Sequence, residues 1–333
     1  MIYEKSCGAV VYTETAEGRR YLIEQMRQGH YAVCKGHVEG DETEEETAQR
    51  EILEETGLAV KVDTAFREET AYSPYEGCRK QVIYFIARAD RTETQVQPEE
   101  VRAILWLPFD EALKVMTYEN DRQLLTKAEY YLNAVSVEEM RRRDAATIAA
   151  GTPGTVLMRR AAEGIFNAWN DWQNGTLILC GSGNNGGDGF SLAEILAEKG
   201  ISCRVLTLGG KRTPDAAHYE KRAAAAGVPI EPYEAGMPLD APLIVDCLLG
   251  TGFRGEVREP YASAIRAVNS AREQGCRVVS ADINSGMNGD DGEGDLVVQS
   301  DLTVTIGLVK TGFFTPAGKA HYKELRLAEI GIR

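Results

Sequence analysis

The chain contains 333 residues, of which 43% are hydrophobic and 26% are charged, and this composition excludes a disordered or fibrous protein. Its length predicts two domains of ordinary size. The formal net charge of -14 argues against nucleic-acid binding, because proteins that bind a phosphate backbone present a basic surface.

The cysteines, histidines and apolar segments indicate where in the cell the protein works and whether it binds zinc or a membrane. The chain has seven cysteines and four histidines. An odd number of cysteines without a C-x-x-C pair is typical of reduced thiols in a cytoplasmic protein, and the scattered histidines argue against a zinc site. No basic segment followed by an apolar one opens the chain, and its apolar runs are too short to span a bilayer. We therefore expect no secretion signal and no membrane partner.

The first part of the chain mixes strand-like and helical patterns. Alternating or β-branched segments predict strands, and segments of helical periodicity predict helices, one of which ends at Gly57. The predicted strands are residues 8–12, 21–24, 81–87 and 103–107, and the predicted helices are residues 43–56, 109–116 and 122–132. These elements indicate an α+β domain over residues 1–133.

A short polar break at residues 133–136 precedes a more regular second part. Five apolar runs alternate there with helical segments. The runs are residues 176–180, 203–208, 243–249, 278–283 and 302–308, and the helices include residues 191–199, 215–226 and 261–273. Continuous apolar strands that alternate with helices form parallel sheets covered on both faces. Residues 134–333 are therefore expected to form an α/β, Rossmann-like three-layer sandwich with a mainly parallel sheet.

The helix predicted at residues 43–56 carries a cluster of carboxylates. Glu51, Glu54 and Glu55 are spaced i, i+3 and i+4, so they share one helix face and repel one another. A divalent cation would relieve this repulsion, and oxygen-only ligands favour Mg²⁺ or Mn²⁺. Such an ion can bridge phosphate oxygens and activate a water. The alternative is a solvated acidic helix.

The segment around this helix resembles the Nudix box, a pattern of glycines, glutamates and one arginine at fixed spacing. Its positions are filled by Gly36, Glu42, Arg50, Glu51, Ile52, Glu54, Glu55, Gly57 and Leu58. The resemblance implies a Nudix hydrolase domain that cleaves nucleoside diphosphates linked to another group. It implies catalytic roles for Glu51, Glu54 and Glu55, and an arginine, Arg50, that orients a glutamate. The implied metal ligands are Gly36, Glu51, Glu54, Glu55 and the pair Glu99 and Glu100, and the implied phosphate-facing residues are Lys35 and His37.

Four further strings, S-C-G-A-V-V-Y, K-G-H-V-E-G, Y-F-I-A and W-L-P-F-D-E-A-L, are similar to the Nudix branch near diadenosine tetraphosphate hydrolases. That branch usually has Trp-Gly-Phe-Pro before Lys-Gly-His, whereas this chain has residues 31–34 as Y-A-V-C. Catalysis is expected to survive this departure, but base stacking depends on those positions. A nucleoside triphosphatase and a NADH pyrophosphatase remain alternatives for this half.

A glycine-rich string, G-S-G-N-N-G-G-D-G, follows the apolar run at residues 176–180. It satisfies G-x-G-x-x-G after a strand and before a helix, a geometry that can hold a pyrophosphate. A dinucleotide dehydrogenase would have an acidic residue about 20 positions further on. The chain has Leu208-Gly209-Gly210-Lys211 there instead, so we expect no redox cofactor.

The whole glycine-rich string resembles a signature of NAD(P)H-hydrate epimerases. Three other strings of this chain also resemble that family: V-E-E-M-R-R-R-D-A-A-T-I, V-D-C-L-L-G-T-G-F-R-G-E-V-R-E-P and A-D-I-N-S-G-M. The resemblance implies exchange of the S and R forms of hydrated NADH and NADPH. Asp282 is then the catalytic acid/base and Lys310 a supporting charge. The implied substrate-binding residues are Asn184, Asn185, Gly186, Gly187, Asp188, Gly250, Thr251, Gly252, Phe253, Arg254, Gly255, Glu256, Asp282 and Lys310, and the implied potassium ligands are Asn185, Asp246 and Ser285.

The positions of the two aspartates in the sequence agree with the roles that the resemblance implies. Asp246 and Asp282 stand at the carboxyl ends of apolar runs, where open α/β sheets place their ligands. A carboxylate there is costly unless it is paired. The alternatives are an N-cap or turn role for Asp282 and a turn role for Asp188. Asn284 replaces the proline usual in the family, which predicts a less rigid turn.

The resemblance also implies partners. The substrates are small-molecule nucleotides, a homodimer is expected, and a separately encoded NAD(P)H-hydrate dehydratase is expected to complete the repair. The opposing hypothesis is that the second half is a nucleotide-binding sensor or scaffold without turnover.

Overall fold

The structure is a computed structural model that describes residues 2–73 and 75–332. The chain divides into two compact units, Met1–Leu132 and Asn133–Arg333, which we call the N-terminal and C-terminal units. All seven cysteines are unpaired, and six of them are buried. Across the described ranges, none of the helices combines the length and the apolar character needed to cross a membrane.

The N-terminal unit is a seven-stranded mixed sheet with three helices. Its strands are β1 (Ile2–Thr15), β2 (Gly18–Met26), β3 (Tyr31–Ala32), β4 (Lys35–His37), β5 (Lys61–Tyr72), β6 (Cys78–Arg88) and β7 (Val101–Leu107), and its helices are α1 (Glu44–Thr56), α2 (Phe109–Val115) and α3 (Glu119–Leu132). The main strand order is β3-β2-β1-β6-β5, while β4 pairs with β1 and β7 with β2. Strands β1 and β6 run parallel, and the other pairs are antiparallel.

The sheet of this unit separates two apolar cores. Alternate residues of β1 point to opposite faces, so Ala9 packs with Ile52 of α1, whereas Val10 packs with Leu125 of α3. Helix α1 begins at a capping box in which Thr43 and Glu46 satisfy each other's backbone N–H groups. It ends at Gly57, whose φ of 71° suits glycine. The predicted end of this helix is confirmed, and its start lies one residue after the predicted one, because Thr43 is the cap.

The C-terminal unit is a parallel sheet of seven strands, and its strands and helices largely alternate along the chain. Its strands are β8 (Thr176–Cys180), β9 (Cys203–Thr207), β10 (Ile230–Pro232), β11 (Leu243–Cys247), β12 (Arg277–Ala281), β13 (Ser300–Ile306) and β14 (Tyr322–Ala328). Its helices are α4 (Val137–Ala149), α5 (Gly154–Ala168), α6 (Asn184–Glu198), α7 (Pro214–Ala225), α8 (Tyr261–Glu273) and α9 (Pro316–Lys319), with a 3₁₀ turn at Thr311–Phe314.

The strand order is β10-β9-β8-β11-β12-β13-β14, and each neighbouring pair is parallel. Ile178 of β8 packs on the face covered by α5, α6 and α7, and its neighbour Leu179 packs on the face covered by α8. The predicted three-layer sandwich is therefore confirmed.

The helix predicted at residues 191–199 is the clearest error in this unit. Helix α6 begins at Asn184, so residues 184–189 of the glycine-rich string that we expected to be a loop lie in the helix. Glycines have low helix propensity, and the pattern therefore favoured a loop. Tertiary packing overrides this preference, because Gly186, Gly187 and Gly189 each lie against neighbouring atoms that leave no room for a side chain.

Candidate functional sites

Arg50 of α1 contacts carboxylates of the same helix and of the segment before it. Its guanidinium donates to Glu42 at 2.7 Å, to Glu51 at 2.8 Å and to Glu54 at 3.0 Å. It also donates to the backbone carbonyl of His37 at 2.8 Å, which ties the helix to β4. The hydrogen bond from Arg50 lowers the pKa of Glu42 to about 2. Arg50 therefore holds Glu51 and Glu54 in place.

Glu51 lies directly against Gly36 of β4. A Cβ at position 36 would fall 1.9 Å from the Glu51 carboxyl carbon, so any side chain there would displace the glutamate. Burial raises the pKa of Glu51, and the charges of Glu54 and Glu100 act in the same direction. The structure thus brings Glu100 into the electrostatic neighbourhood of Glu51, while Glu99 lies in the same turn, residues 98–100.

Glu55 occupies a different environment from Glu54. Glu54 is exposed, whereas Glu55 is buried beside Glu24 and Cys34. The Oε2 atom of Glu55 has no hydrogen-bond partner among the described residues. Burial is the main cause that raises the pKa of both Glu24 and Glu55. Sequence reasoning missed Glu24 and Cys34, because nothing in their spacing connects them with the glutamates of α1.

A basic group lies beside these carboxylates. The Nζ atom of Lys80 is 3.3 Å from Nε2 of His37, and Lys80 was also missed by sequence reasoning. Burial lowers the pKa of Lys80, and the charge of Lys35 acts in the same direction, so Lys35 is also nearby. Three nitrogen-bearing side chains next to three carboxylates are an arrangement suited to a phosphate held through a cation.

The N-terminal carboxylates have the chemistry of a site for a hard divalent cation, although among the described residues no three oxygens of Glu51, Glu54, Glu55 and Glu100 lie within 4.8 Å of one another. The donor set consists of carboxylate oxygens, which select Mg²⁺ or Mn²⁺, and one of them, the buried Oε2 of Glu55, lacks a partner among the described residues. Glu51, Glu54 and Glu55 would hold the ion with Glu100. Such an ion supplies charge neutralisation for phosphate oxygens and a more acidic water.

In the C-terminal unit, Asp282 and Lys310 form the centre of a pocket of about 170 Å³. Asp282 directly follows β12, and the fully buried Nζ of Lys310 donates to its Oδ1 at 2.5 Å. Lys310 also donates to Thr305 Oγ1 at 3.0 Å and to the Ile306 carbonyl at 2.9 Å. These acceptors fix the lysine, and the lysine fixes the aspartate.

Three further carboxylates face the same pocket. Asp188 of α6, Asp144 of α4 and Asp215 of α7 line it with Asp282. Burial raises the pKa of Asp188 well above the ordinary range and also raises the pKa of Asp144, and the charge of Asp282 adds to both effects. Asp144 was not predicted as a site residue, although it belongs to the V-E-E-M-R-R-R-D string that carried the resemblance.

The expected potassium ligands also converge. Ser285 Oγ donates to Asp246 Oδ1 at 2.5 Å, and the Ser285 amide donates to Asp246 Oδ2 at 3.0 Å. Asn185 Nδ2 donates to the Leu249 carbonyl at 3.0 Å, and the Leu249 amide donates to Ser285 Oγ at 2.8 Å. The buried Oδ1 of Asn185 has no partner within the described part of the chain. An unpaired oxygen among oxygen donors fits a monovalent cation.

The residues of segment 250–256 do not all line the pocket of Asp282. Thr251 lines the pocket of Asp282, and its carbonyl accepts from Arg141 at 2.7 Å. Phe253, Arg254, Gly255 and Glu256 line a different cleft, formed with residues 286–295. Of the glycine-rich string, Asn184 and Asp188 reach the pocket.

Asn284 ties its turn to the sheet. Its Nδ2 donates to the Val298 carbonyl at 2.9 Å and to Ser300 Oγ and the His321 carbonyl at 3.0 Å, and its Oδ1 accepts from Thr303 at 2.6 Å. These hydrogen bonds tether the turn at the position where the family usually has proline.

Comparison with known proteins accounts for both units. Residues 154–312 match the family described as YjeF-related protein N-terminus, and residues 4–128 match the NUDIX domain family. The NAD(P)H-hydrate epimerase of Levilactobacillus brevis is 34% identical over 206 residues, which cover 60% of this chain and 94% of that relative.

A longer relative and a solved structure extend this comparison. The bifunctional NAD(P)H-hydrate repair enzyme Nnr of Coxiella burnetii is 35% identical over 201 residues, which cover 58% of this chain but only 40% of that enzyme. The crystal structure of yeast ynu0 has a TM-score of 0.50 and 19% identity, covers 58% of this chain and 87% of that one, and shows the fold.

These likenesses agree with the parallel sheet of the C-terminal unit and with the mixed sheet and carboxylate helix of the N-terminal unit. Through its C-terminal unit the chain belongs to the NAD(P)H-hydrate epimerase family, and to this unit it joins a Nudix hydrolase domain.

Proposed function

We propose that the C-terminal unit interconverts the S and R forms of hydrated NADH and NADPH, with Asp282 as the acid/base. The observation that carries the proposal is the ion pair between Asp282 and the buried Lys310 in a pocket at the carboxyl ends of the strands. Open α/β sheets bind their ligands at this edge. The names of the relatives supply the substrate class.

The chemistry needs one positioned proton carrier and no redox step. The hydrated ring carries a hydroxyl on the carbon next to the ring nitrogen. A proton of the Lys310–Asp282 pair passes through the Asp282 carboxylate to this hydroxyl, which leaves as water, and the nitrogen stabilises the cation. Water returns to either face of the ring and gives its proton back to the carboxylate, so atoms and charge balance. Lys310 orients the carboxylate and holds it next to the substrate.

The cation cluster has a supporting role in this proposal. Asn185, Asp246 and Ser285 would hold K⁺ beside the amino end of α6, where it could neutralise the negative charge of a bound pyrophosphate. Asn184 and Asp188 of the same helix contribute to the substrate pocket.

The test is an exchange assay. One purified epimer of hydrated NADH is incubated with the full chain, and the two epimers are separated by chromatography. Exchange well above the spontaneous rate, without added nucleotide or Mg²⁺, is the expected result. A rate equal to the spontaneous one would contradict the enzyme and favour a sensor without turnover.

For the N-terminal unit we propose Mg²⁺-dependent hydrolysis of a nucleoside diphosphate linked to another group, with dinucleoside polyphosphates as the first substrates to test. Three carboxylates on α1 and the basic group of Lys35, His37 and Lys80 support this proposal. The sequence strings similar to diadenosine tetraphosphate hydrolases supply the substrate class.

The hydrolase is tested with a panel of dinucleotides, nucleoside triphosphates and NADH in the presence of Mg²⁺. Glu54→Gln removes one ligand charge from an exposed position, so hydrolysis is expected to fall by orders of magnitude while the fold is kept. Glu45→Gln, in the first turn of the same helix, is the matched control. Unchanged hydrolysis by Glu54→Gln would contradict the assigned site.

Epimerisation alone does not regenerate the reduced cofactor, because both epimers still carry the added water. We therefore propose that a dehydratase specific for one epimer consumes the product. Adding such an enzyme to a mixture of both epimers should leave the other epimer behind unless this chain is also present.

A further inference from the structure

Inversion of the hydrated ring has a stereochemical requirement that a single carboxyl group does not meet. The hydroxyl leaves from one face of the ring, and water must add to the opposite face. Removal of the hydroxyl needs one proton carrier, whereas inversion needs a second carrier on the other face or a ring that turns over. Turning over would require the ring and its amide substituent to rotate inside a pocket of about 170 Å³. A second proton carrier in this pocket would remove that requirement.

Asp188 is a carboxyl group of the pocket that is available for proton transfer. It belongs to α6, whereas Asp282 follows β12, so the two carboxyls reach the pocket from different elements. Asp188 is 9% exposed, and in the part of the chain that the structure describes no hydrogen bond or ion pair engages its carboxyl group. A buried carboxyl without a partner is costly as an anion, so it keeps its proton.

The neighbouring charges favour the same protonation state. Burial raises the pKa of Asp188 well above its ordinary range, the charges of Asp282 and Asp144 act in the same direction, and Lys310 acts in the opposite one. Lys310 already donates to Asp282. The resting pocket therefore holds a protonated carboxyl at Asp188 and an ionised carboxylate at Asp282.

The other two carboxyls of the pocket are less suited to this role. Asp144 and Asp215 also line it, but both are only half-buried. Water can hydrate a half-buried anion, so burial does not hold the proton on these groups as it does on Asp188.

We propose that Asp188 and Asp282 are proton carriers on opposite faces of the hydrated ring, so that inversion proceeds without the ring turning over. The proposal rests on the proposed epimerisation and adds a second catalytic residue to it.

Each step of this inversion balances. On the epimer whose hydroxyl faces Asp188, the carboxyl gives its proton to the hydroxyl oxygen. The carbon–oxygen bond breaks with its electron pair on the oxygen, water leaves, and the lone pair of the ring nitrogen forms a double bond to the carbon. A water on the other face forms the new carbon–oxygen bond, returns the electron pair to the nitrogen and gives its proton to Asp282. The proton then returns to Asp188 through solvent, because the net reaction neither adds nor removes one.

Oxygen exchange with solvent tests the two faces separately. Each purified epimer of hydrated NADH is incubated with the full chain in H₂¹⁸O, and chromatography with mass spectrometry measures inversion and label uptake. Asp188→Asn keeps the Asp282–Lys310 pair, which can remove the hydroxyl on its own face and return labelled water to that face. We expect inversion at least about 10²-fold slower than in wild type, while one epimer still takes up label. Inversion at the wild-type rate, or a folded variant that labels neither epimer, would overturn the proposal.

Asp282→Asn gives the complementary result and covers the case in which Asp188→Asn does not fold. Asp188 remains in this variant, so label should enter the opposite epimer without inversion. Label uptake no faster than the spontaneous rate, or label in the same epimer as in Asp188→Asn, would overturn the second carrier. Asp240→Asn, at an exposed aspartate of the same unit, is the control and should invert and take up label as wild type does.

The wild-type protein separates this proposal from the proposed function. A wild-type chain that inverts neither epimer above the spontaneous rate would contradict the epimerase and this proposal with it. A wild-type chain that inverts both, together with an equally fast Asp188→Asn, would leave the epimerase in place with a single proton carrier and overturn this proposal alone.

Discussion

Asp282 has a left-handed backbone conformation, and its side chain forms an ion pair with a buried lysine. Its φ is 64°, and no other non-glycine residue in the described ranges has a positive φ. The backbone directs the carboxylate toward Lys310, and the lysine has two further acceptors that hold it. The position of the carboxylate is therefore determined by both its own backbone and its partner.

We predict that Asp282→Asn slows epimer exchange by about 10²–10⁴-fold, the usual contribution of a positioned acid/base. Asparagine tolerates the left-handed region, so the backbone is expected to be kept. The measurement is the chromatographic exchange assay with circular dichroism as the check on folding. Asp240→Asn, at an exposed aspartate of the same unit, is the control and should exchange at the wild-type rate. A folded Asp282→Asn protein with full activity would exclude this residue as the proton carrier.

A second prediction concerns Asp188 and pH. Its folded-state pKa is raised by burial, with Asp282 acting in the same direction. A carboxyl with a raised pKa contributes stability at low pH that is lost as the pH rises through its folded value. Asp188→Asn does not titrate, so the melting temperature of the variant relative to wild type should be higher at about pH 8 than at about pH 5.

Thermal unfolding of the full chain at both pH values measures this difference. Asp240→Asn, which replaces an exposed aspartate, should give the same small difference at both. The melting temperature of Asp188→Asn relative to wild type could instead be the same at both pH values, or higher at the lower pH. Either result would contradict the prediction that ionisation of Asp188 lowers the stability of the wild-type protein.

At the scale of elements, α6 owes its position to glycine. A Cβ at Gly186 would fall 2.1 Å from the carbonyl oxygen of Gly181, which is backbone and cannot rotate away. Gly186→Ala should therefore push the start of α6 away from β8 and lower the free energy of unfolding by about 1–3 kcal/mol. Urea unfolding measures this loss, and epimer exchange should fall with it.

Gly183→Ala is the matched control for the α6 prediction. Gly183 is the cap residue of the same helix, its φ is -85°, and a Cβ there meets nothing within 4 Å. Its replacement should cost less than that of Gly186, about 0.5 kcal/mol, the difference between glycine and alanine as helix caps. Equal losses from the two substitutions would show that close approach to Gly181 does not explain the glycine at position 186, since alanine has the higher helix propensity.

Much of the element pattern could be predicted from the sequence. The five apolar runs of the C-terminal unit are all strands, and α8 was predicted with its observed ends. Strands β5 and β14 were missed, because both carry many charged residues on exposed faces and lack a continuous apolar run. Their pairing partners, which no local pattern reveals, stabilise them.

The site was predictable where one segment carries it. Glu51 and Glu54 share a helix, and Asp282 ends a strand, so spacing and position indicated them. Glu24 and Cys34 come together with Glu55 only through the fold, from three segments. Asp144 reaches the pocket of Asp282 from α4, far away in the sequence. Such contacts depend on how the strands and helices are arranged in the fold, and the local patterns of a single sequence do not reveal this arrangement.

At the scale of the whole molecule, each apolar core is drawn from one unit. Two cores belong to the N-terminal unit and two to the C-terminal unit. We therefore predict that residues 1–132 and 133–333, expressed separately, both fold, and that each retains its own activity. Circular dichroism and the two activity assays measure this. Aggregation of residues 133–333 alone would contradict the independence of the units.

The same independence should appear in the full chain. Glu54→Gln should leave epimer exchange at the wild-type rate, and Asp282→Asn should leave hydrolysis unchanged, because the two residues belong to different cores. Reduced exchange in Glu54→Gln would mean that the units influence each other.

The positive φ of Asp282 has a consequence for how this position evolves. A left-handed backbone costs a side chain roughly 1–2 kcal/mol and costs glycine almost nothing. Selection for folding alone would therefore favour glycine at position 282. Relatives that have lost the catalytic activity would be expected to acquire glycine at position 282 and to become more stable. The residue at this position would therefore indicate whether the pocket is still selected for catalysis.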